Sequence, residues 1–328
     1  MDQKVRFATI GTSKITEKFL AAAKLVPDFE LEAVYSRNME KAEAFGKRHG
    51  AGKYYDRLEA LAEDPRVDAV YIASPNMMHC SQALYLMQSG KHILCEKALA
   101  SNEQEVRRMF AAAQEHEVVL LEAMRTIHDP ALEIIRKHLG GLGKIRHASL
   151  NFCQYSSRYD SFREGVDHNI FRRECSAGAL MDIGVYCVHA LLYLFGRPER
   201  ITSESVMLRG EIDGMGNILA AYPEMTAQII YSKITSSCMP SEIQGENGIM
   251  RIRDICNPLE ISIWYPDGRE ECLYQKEPQD NMKYEIERFI KMIHGEEKSD
   301  AFRNISLDAI KIMDEVRKQC HIVFPADR

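Results

Sequence analysis

Short apolar runs alternate with amphipathic stretches through the first 125 residues. VRFATI (5–10), residues 31–36, DAVYIA (68–73), HILC (92–95) and residues 118–121 are apolar almost throughout. Helical spacing follows most of them: residues 15–25, closed by Pro27; NMEKAEAFGKRHG, with Asn38 as N-cap; residues 78–88, ended by Gly90; and residues 102–115. Strands without polar alternation are buried on both faces, so this order predicts a parallel sheet covered by helices on each side. The expectation is a doubly wound α/β domain over residues 1–125.

Beyond residue 125 the pattern changes. A helix over 130–139 ends in GGLGK, and then come IRHASLNFCQYS, RITSESVMLRG, MTAQIIYSKITSS, IMRIRD and LEISIWYPDG. Their β-branched, partly alternating composition, with turns such as Asp267-Gly268, predicts an α+β domain over 126–328. Its sheet is large, mixed and mostly antiparallel. Two helices near 281–293 and 306–318 finish the chain, with packing back on the first domain left open. If helices cover one face of this sheet, a broad apolar face is left to bury, and a homodimer or dimer of dimers would cover it.

One helical stretch carries polar residues in an unexpected place. SAGALMDIGVYCVHALLYLFG (176–196) reads as an apolar helix, yet Asp182, Tyr186 and His189 lie inside it. At roughly 100° per residue, their i, i+4, i+7 spacing puts all three within about 60° of one face. The stripe is either one wall of a ligand cleft or an internally hydrogen-bonded core network. Taken alone, His189 reads more readily as a satisfied core histidine. Gly184 either leaves room for a ligand or lets the helix pack closely.

Composition narrows the setting. With 27% charged residues and a net charge of −6, no basic excess points to nucleic acid. No run of 18 apolar residues suggests a membrane span. Nine scattered cysteines, odd in number and without a CxxC pair, predict reduced thiols in a cytoplasmic protein rather than disulfides or zinc. The histidines show no HExxH spacing, so no metal site is expected. MDQKVRFATIG leads directly into a strand and lacks the order of a signal peptide.

The first strand runs into Gly11-Thr12-Ser13-Lys14-Ile15, where a dinucleotide fold has GxGxxG. Only the first glycine is present. Gly11 suits the tight turn, and Thr12 and Ser13 are small enough for a pyrophosphate to approach the backbone. The helix beginning at Lys14 and Ile15 offers oriented N–H donors. At the end of the second strand, Ser36 and Arg37 are followed one turn later by Lys41. A hydroxyl and two cations suit a 2′-phosphate, so NADP is expected over NAD; two solvated surface cations are the alternative. Glu32 lies mid-strand, out of reach of the cofactor edge. The other strand ends are ASPNMMH, CEKA and LEAMR, which put Ser74, Pro75, Asn76, His79, Glu96, Lys97 and Arg125 at the carboxyl edge of the sheet. His79 either orients the nicotinamide loop or sits on the surface of its helix.

IGTSKI, SRNMEKAEAFGKRHG, VDAVYIASPNMMH, GKHILCEKALA and GALMDIGVYCVHALLYLFG together resemble the glucose–fructose oxidoreductase / inositol dehydrogenase (Gfo/Idh/MocA) family. The tyrosine in GALMDIGVY is most similar to the branch with dimeric dihydrodiol dehydrogenase and NADP-dependent xylose dehydrogenase. The resemblance implies a Rossmann domain, a dimer, Tyr186 as acid/base, Lys97 as its electrostatic partner, and Asp182 as a catalytic or substrate-network residue. His189 corresponds to a position often acidic in relatives. Where the family has EKP, with a cis peptide before proline, this chain has Ala98. Non-proline residues seldom take that form, so either the bond is trans with Lys97 shifted, or it is cis.

The chemistry fits the assignment. A tyrosine with an ordinary pKa of about 10 is a poor base near neutrality, and a lysine cation beside it favours the phenolate. Nicotinamide does the redox work, so no metal is needed. Tyr155, Arg158, Tyr159, Asp160, His168 and Arg172 suit a polyhydroxylated ring, and would equally suit an exposed loop. The expected function is hydride transfer between NADP (or NAD) and a sugar, polyol or cyclic diol. The alternatives are a non-catalytic NADP-binding regulator or scaffold, and an enzyme that recycles a tightly held cofactor between two substrates.

Overall fold

The computed structural model describes residues 4–328. The reading of the first residues as leading straight into a strand falls partly on residues 1–3, outside the described residues. The chain divides into two compact units: Met1–Ala123 with Asp280–Leu307, and Met124–Gln279 with Asp308–Arg328.

The first unit alternates strictly: β1 (Val5–Ile10), α1 (Lys14–Ala23), β2 (Phe29–Tyr35), α2 (Met39–His49), β3 (Lys53–Tyr55), α3 (Leu58–Ala62), β4 (Ala69–Ile72), α4 (Asn76–Gln88), β5 (His92–Glu96), α5 (Glu103–Glu115) and β6 (Leu120–Ala123). Six parallel strands lie in the order β3-β2-β1-β4-β5-β6. This is the doubly wound sheet the apolar runs predicted, with β3 added at one edge. Asn38 caps α2 by accepting from the Lys41 N–H at 2.8 Å. Phe19 stacks on Tyr71 with ring centroids 3.7 Å apart, and Phe7 packs against Phe19 and Phe29.

The second unit runs α6 (Arg125–His128), α7 (Pro130–His138), β7 (Ile145–Cys153), α8 (Tyr159–Arg163), α9 (Val185–Phe195), β8 (Arg200–Leu208), β9 (Ile212–Ala221), β10 (Thr226–Ser232), β11 (Ser241–Gly245), β12 (Gly248–Arg253), β13 (Glu260–Trp264) and β14 (Glu270–Gln275). The eight-stranded sheet has the order β14-β13-β12-β11-β7-β10-β9-β8. Only β7 and β10 pair in parallel, so the sheet is mixed and mostly antiparallel.

The register separates two faces. Ile201, Ala220, Ala227, Ala148, Ile243, Met250 and Ile263 form one cross-strand row, all but Ile201 buried. The adjacent row on the opposite face reads Leu219, Gln228, Ser149, Glu242, Arg251 and Ser262. The expected broad apolar face is therefore corrected: that face is mainly polar, with Val206, Leu219 and the cross-strand pair Ile249 and Trp264 as its exposed apolar side chains.

The segment expected as one helix over 176–196 is three pieces. Ser176 and Gly178 have positive φ, a π turn spans Leu180–Gly184, and α9 follows. The helical stretch Arg173–Phe195 is long and apolar enough to cross a membrane, but 83% of its apolar window is buried inside the fold, so it is a core helix. Two helices close the chain, α10 (Met282–Ile293) and α11 (Asp300–Gln319). In the first unit α10 packs on α1, and Phe289 lies 5.8 Å from Phe7. Residues 280–307 thus belong with the first unit rather than with the domain that precedes them in sequence.

Candidate active site

The strand order of the first unit reverses direction between β1 and β4, and ligands of such sheets bind outside the carboxyl ends of the strands there. Gly11 leaves β1 with φ +107°, and a Cβ would lie 2.9 Å from the Ala73 carbonyl oxygen at the end of β4. Only glycine meets both conditions, so the turn is as tight as a pyrophosphate cradle requires. Thr12 is half-buried and Ser13 exposed. Ser13 is the extended N-cap of α1 and makes no side-chain capping bond, which leaves the first turn at Lys14 and Ile15 without a side-chain acceptor. These residues fit a dinucleotide phosphate.

At the end of β2, Arg37 and Lys41 are exposed, and neither enters an ion pair among the described residues. Ser36 Oγ accepts from the Asn38 N–H at 3.4 Å. Glu32 is buried mid-strand and held by Arg66 at 3.0 Å and Lys53 at 3.7 Å, so it is spent on the sheet edge. The residues present suit a 2′-phosphate better than a ribose 2′-hydroxyl.

The ends of β4 and β5 are tied together. Pro75 caps α4, which Asn76 begins, and Ser74 Oγ donates to Gln82 Oε1 at 2.7 Å. The His79 ring is fully buried; Nδ1 lies 3.0 Å from the Ala98 carbonyl and Nε2 2.9 Å from the Ser74 carbonyl. Burial pulls its pKa down. The surface reading of His79 is thereby corrected: it braces the two strand ends from inside. Glu96 is buried and accepts from the Tyr71 hydroxyl at 2.5 Å. Lys97 follows it, half-buried, and the Lys97–Ala98 peptide is cis. Leu99 N–H donates to Glu122 at 3.0 Å, which fixes the chain beyond the cis bond.

In the second unit the π turn and α9 lie against β7, β9 and β10. A Cβ on Gly184 would come within 3.0 Å of the Tyr231 ring on β10, so this glycine serves close packing of the helix on the sheet, not ligand access. A π turn holds more residues than an α turn, so the stripe's simple 100° phase does not carry across residue 184. Tyr186 is almost buried, with the Phe152 ring edge-on at 5.5 Å. The Arg125 guanidinium stands 5.5 Å from the Tyr186 ring centroid, and its Nη2 donates to Cys256 Sγ at 3.2 Å. Arg125, expected at the cofactor, thus sits beside the phenol in the second unit. Asp182 Oδ2 accepts from Lys233 Nζ at 2.7 Å.

His189 is corrected as a substrate contact. It is 0% exposed, and Nδ1 lies 2.9 Å from the Val185 carbonyl of its own helix. Tyr155 is exposed and donates to Asp160 at 2.6 Å. Tyr159 packs with Tyr155, Phe162 and Phe171, so that part of the loop is an aromatic cluster.

Two residues escaped sequence reasoning. Asp213 on β9 is buried, and its Oδ2 accepts from the Leu180 N–H at 2.7 Å, capping the π turn. Burial pushes its carboxyl up to about 6, against the pull of backbone N–H donors and Lys233. Lys233 follows β10 and is also buried. The signal for it was present: a lysine directly after the apolar run AQIIYS, as Lys97 follows HILCE.

A glycine turn at the switch point of such a sheet is where dinucleotides bind. Residues 5–124 match the oxidoreductase family with an NAD-binding Rossmann fold, and residues 134–251 match the GFO/IDH/MocA C-terminal domain. The chain is 44% identical to scyllo-inositol 2-dehydrogenase (NADP(+)) IolU from Bacillus subtilis strain 168, over 99% of both chains. It is 28% identical to trans-1,2-dihydrobenzene-1,2-diol dehydrogenase from Xenopus laevis, over 98% of this chain and 99% of that one. Among solved structures, KijD10, a 3-ketoreductase from Actinomadura kijaniata in complex with NADP and TDP-benzene, shares the fold. Its TM-score is 0.88 at 24% identity, over 97% of this chain and 98% of that one. The chain belongs to the Gfo/Idh/MocA family and is an NAD(P)-dependent oxidoreductase.

Proposed function

We propose that this enzyme is an NADP-dependent dehydrogenase of a polyol or sugar, with Tyr186 as acid/base and Lys97 as its partner. What carries the reading is the 44% identity, across 99% of both chains, to an NADP(+)-linked inositol dehydrogenase. Local structure supports it at each end. The Gly11 turn and the start of α1 take the pyrophosphate, and the unpaired Arg37 and Lys41, with Ser36, take the 2′-phosphate. When bound, the nicotinamide supplies the hydride acceptor or donor. Tyr186 removes the proton of the substrate hydroxyl as the carbonyl forms, and returns it in the reverse direction. The reading requires the Lys97 ammonium to serve that phenol, favouring its ionised form. Arg125 brings a second positive charge to the same ring. Asp182 binds a substrate hydroxyl, and nine free thiols suit a reducing, cytoplasmic setting. A homodimer is also proposed, with Leu219, Ile249 and Trp264 as candidate apolar contacts; its mass in solution checks that.

The test is a fluorescence titration with NADPH and NADH, then turnover on inositols, aldoses and trans-dihydrodiols, with Tyr186→Phe alongside. NADPH should bind at least tenfold more tightly than NADH, since one charge-assisted contact alone is worth about 1.5–3 kcal/mol. Tyr186→Phe should keep NADPH affinity and lose about 10²-fold or more in kcat. Equal affinity for the two cofactors would sink the phosphate site. A variant with unchanged turnover would sink the role of Tyr186, and a cofactor-binding protein without turnover on any substrate would favour the non-catalytic alternative.

A further inference from the structure

Lys233 is the least expected charge in the second unit. Its side chain is 2% exposed, whereas that of its partner Asp182 is 35% exposed. Nζ donates to Asp182 Oδ2 at 2.7 Å and to the Ile170 carbonyl at 3.2 Å, and lies 4.9 Å from the Phe171 ring centroid. Its own backbone N–H donates to Gly214 at 2.8 Å, which pins the stem to β9. Burying an ammonium is costly, and a well-packed apolar side chain in its place is often neutral or stabilising. Fold stability alone is therefore a poor reason for a lysine here. The contacts have a direction: the buried cation grips one oxygen of a carboxylate that still reaches solvent, and joins it to the loop ahead of the catalytic helix.

We infer that Lys233 is a positioning residue of the substrate half-site, aiming the Asp182 carboxylate while tying it to the 169–171 turn through the Ile170 carbonyl. This rests on the reading of Asp182 as a substrate-binding group. Without the cation, Asp182 loses its 2.7 Å contact with Nζ and the 169–171 turn loses a bond. The loss falls on substrate binding, and cofactor binding in the first unit is untouched.

Lys233→Met and Lys233→Gln remove the charge, the second keeping a donor for Ile170; Lys233→Arg keeps the charge. Kinetics with NADP⁺ on the best substrate of the panel, scyllo-inositol tried first, should show KM raised about tenfold or more in the two neutral variants with kcat changed less than about threefold. Lys233→Arg should restore most of the KM, and NADPH affinity should match wild type throughout. Lys233→Met combined with Asp182→Asn should be no worse than Asp182→Asn alone. If a neutral variant melts earlier but keeps the wild-type KM, Lys233 is only structural and the inference falls. Should Lys233→Met not fold, Lys233→Gln decides in the same way. If Asp182→Asn itself leaves KM unchanged, or nothing on the panel is turned over, the substrate-site reading has failed and takes this inference with it.

Discussion

Asp213 shows how one buried side chain sets a pH dependence. Its carboxyl titrates at about 6 in the folded protein, against about 3.9 for an ordinary aspartate in an unfolded chain. Between those values the folded state keeps a proton that the unfolded chain has released. The stability contributed is full below the unfolded value and is lost as pH rises through about 6, on the order of 3 kcal/mol across the window. Asp213→Asn retains an acceptor for Leu180 without the ionisation. Urea midpoints from pH 4 to 7.5 should therefore decline less with rising pH in the variant than in wild type. Parallel declines would show that Asp213 is not the titrating group. Nothing in the sequence announced this residue, because IDGMG reads as a turn rather than a strand, and burial depends on what β9 packs against.

At the scale of elements, Gly184 separates local propensity from packing. Alanine inside a helix ordinarily gains about 0.5–1 kcal/mol over glycine. Here its Cβ would meet the Tyr231 ring at 3.0 Å and Leu180 at 3.1 Å. Gly184→Ala should lower stability by about 1–3 kcal/mol, read as a drop in melting temperature. It should also shift Tyr186, two residues on, and reduce kcat on the order of tenfold or more with NADPH affinity unchanged. A more stable, fully active variant would refute the packing argument. The same contrast explains what sequence could show. β1, β4 and β5 were legible because strands buried on both faces are apolar throughout. β3 was not, being three half-buried residues, nor was β9, whose two glycines lower strand propensity, nor β14, an edge strand whose residues are mostly exposed. The i, i+4, i+7 stripe singled out Asp182, Tyr186 and His189, and of these the fold buries His189 completely. Lys97 and Gly11 stood out because strand ends are where such sheets bind; Lys233 also follows an apolar run, but its pairing with Asp182 needed the fold.

At the scale of the molecule, the order of the chain does not match the order of its parts. Phe7 and Phe289, both fully buried, pack together although they lie at opposite ends of the sequence. Residues 1–123 expressed alone should therefore expose the α1 face that α10 covers, and should lack the sharp thermal transition of the whole chain. A cooperative fragment that binds NADPH at full strength would contradict this. For a protein made from one end to the other, the first unit to leave the ribosome is thus among the last to be finished. Its closing helix is not available until residues 282–293 have emerged, by which time the strands of the eight-stranded sheet have been made. A chain cut short between residues 41 and 282 would carry every residue proposed to bind phosphate and still lack a complete core beneath them. Interrupted products would therefore be poor traps for the cell's cofactor and ready substrates for its proteases.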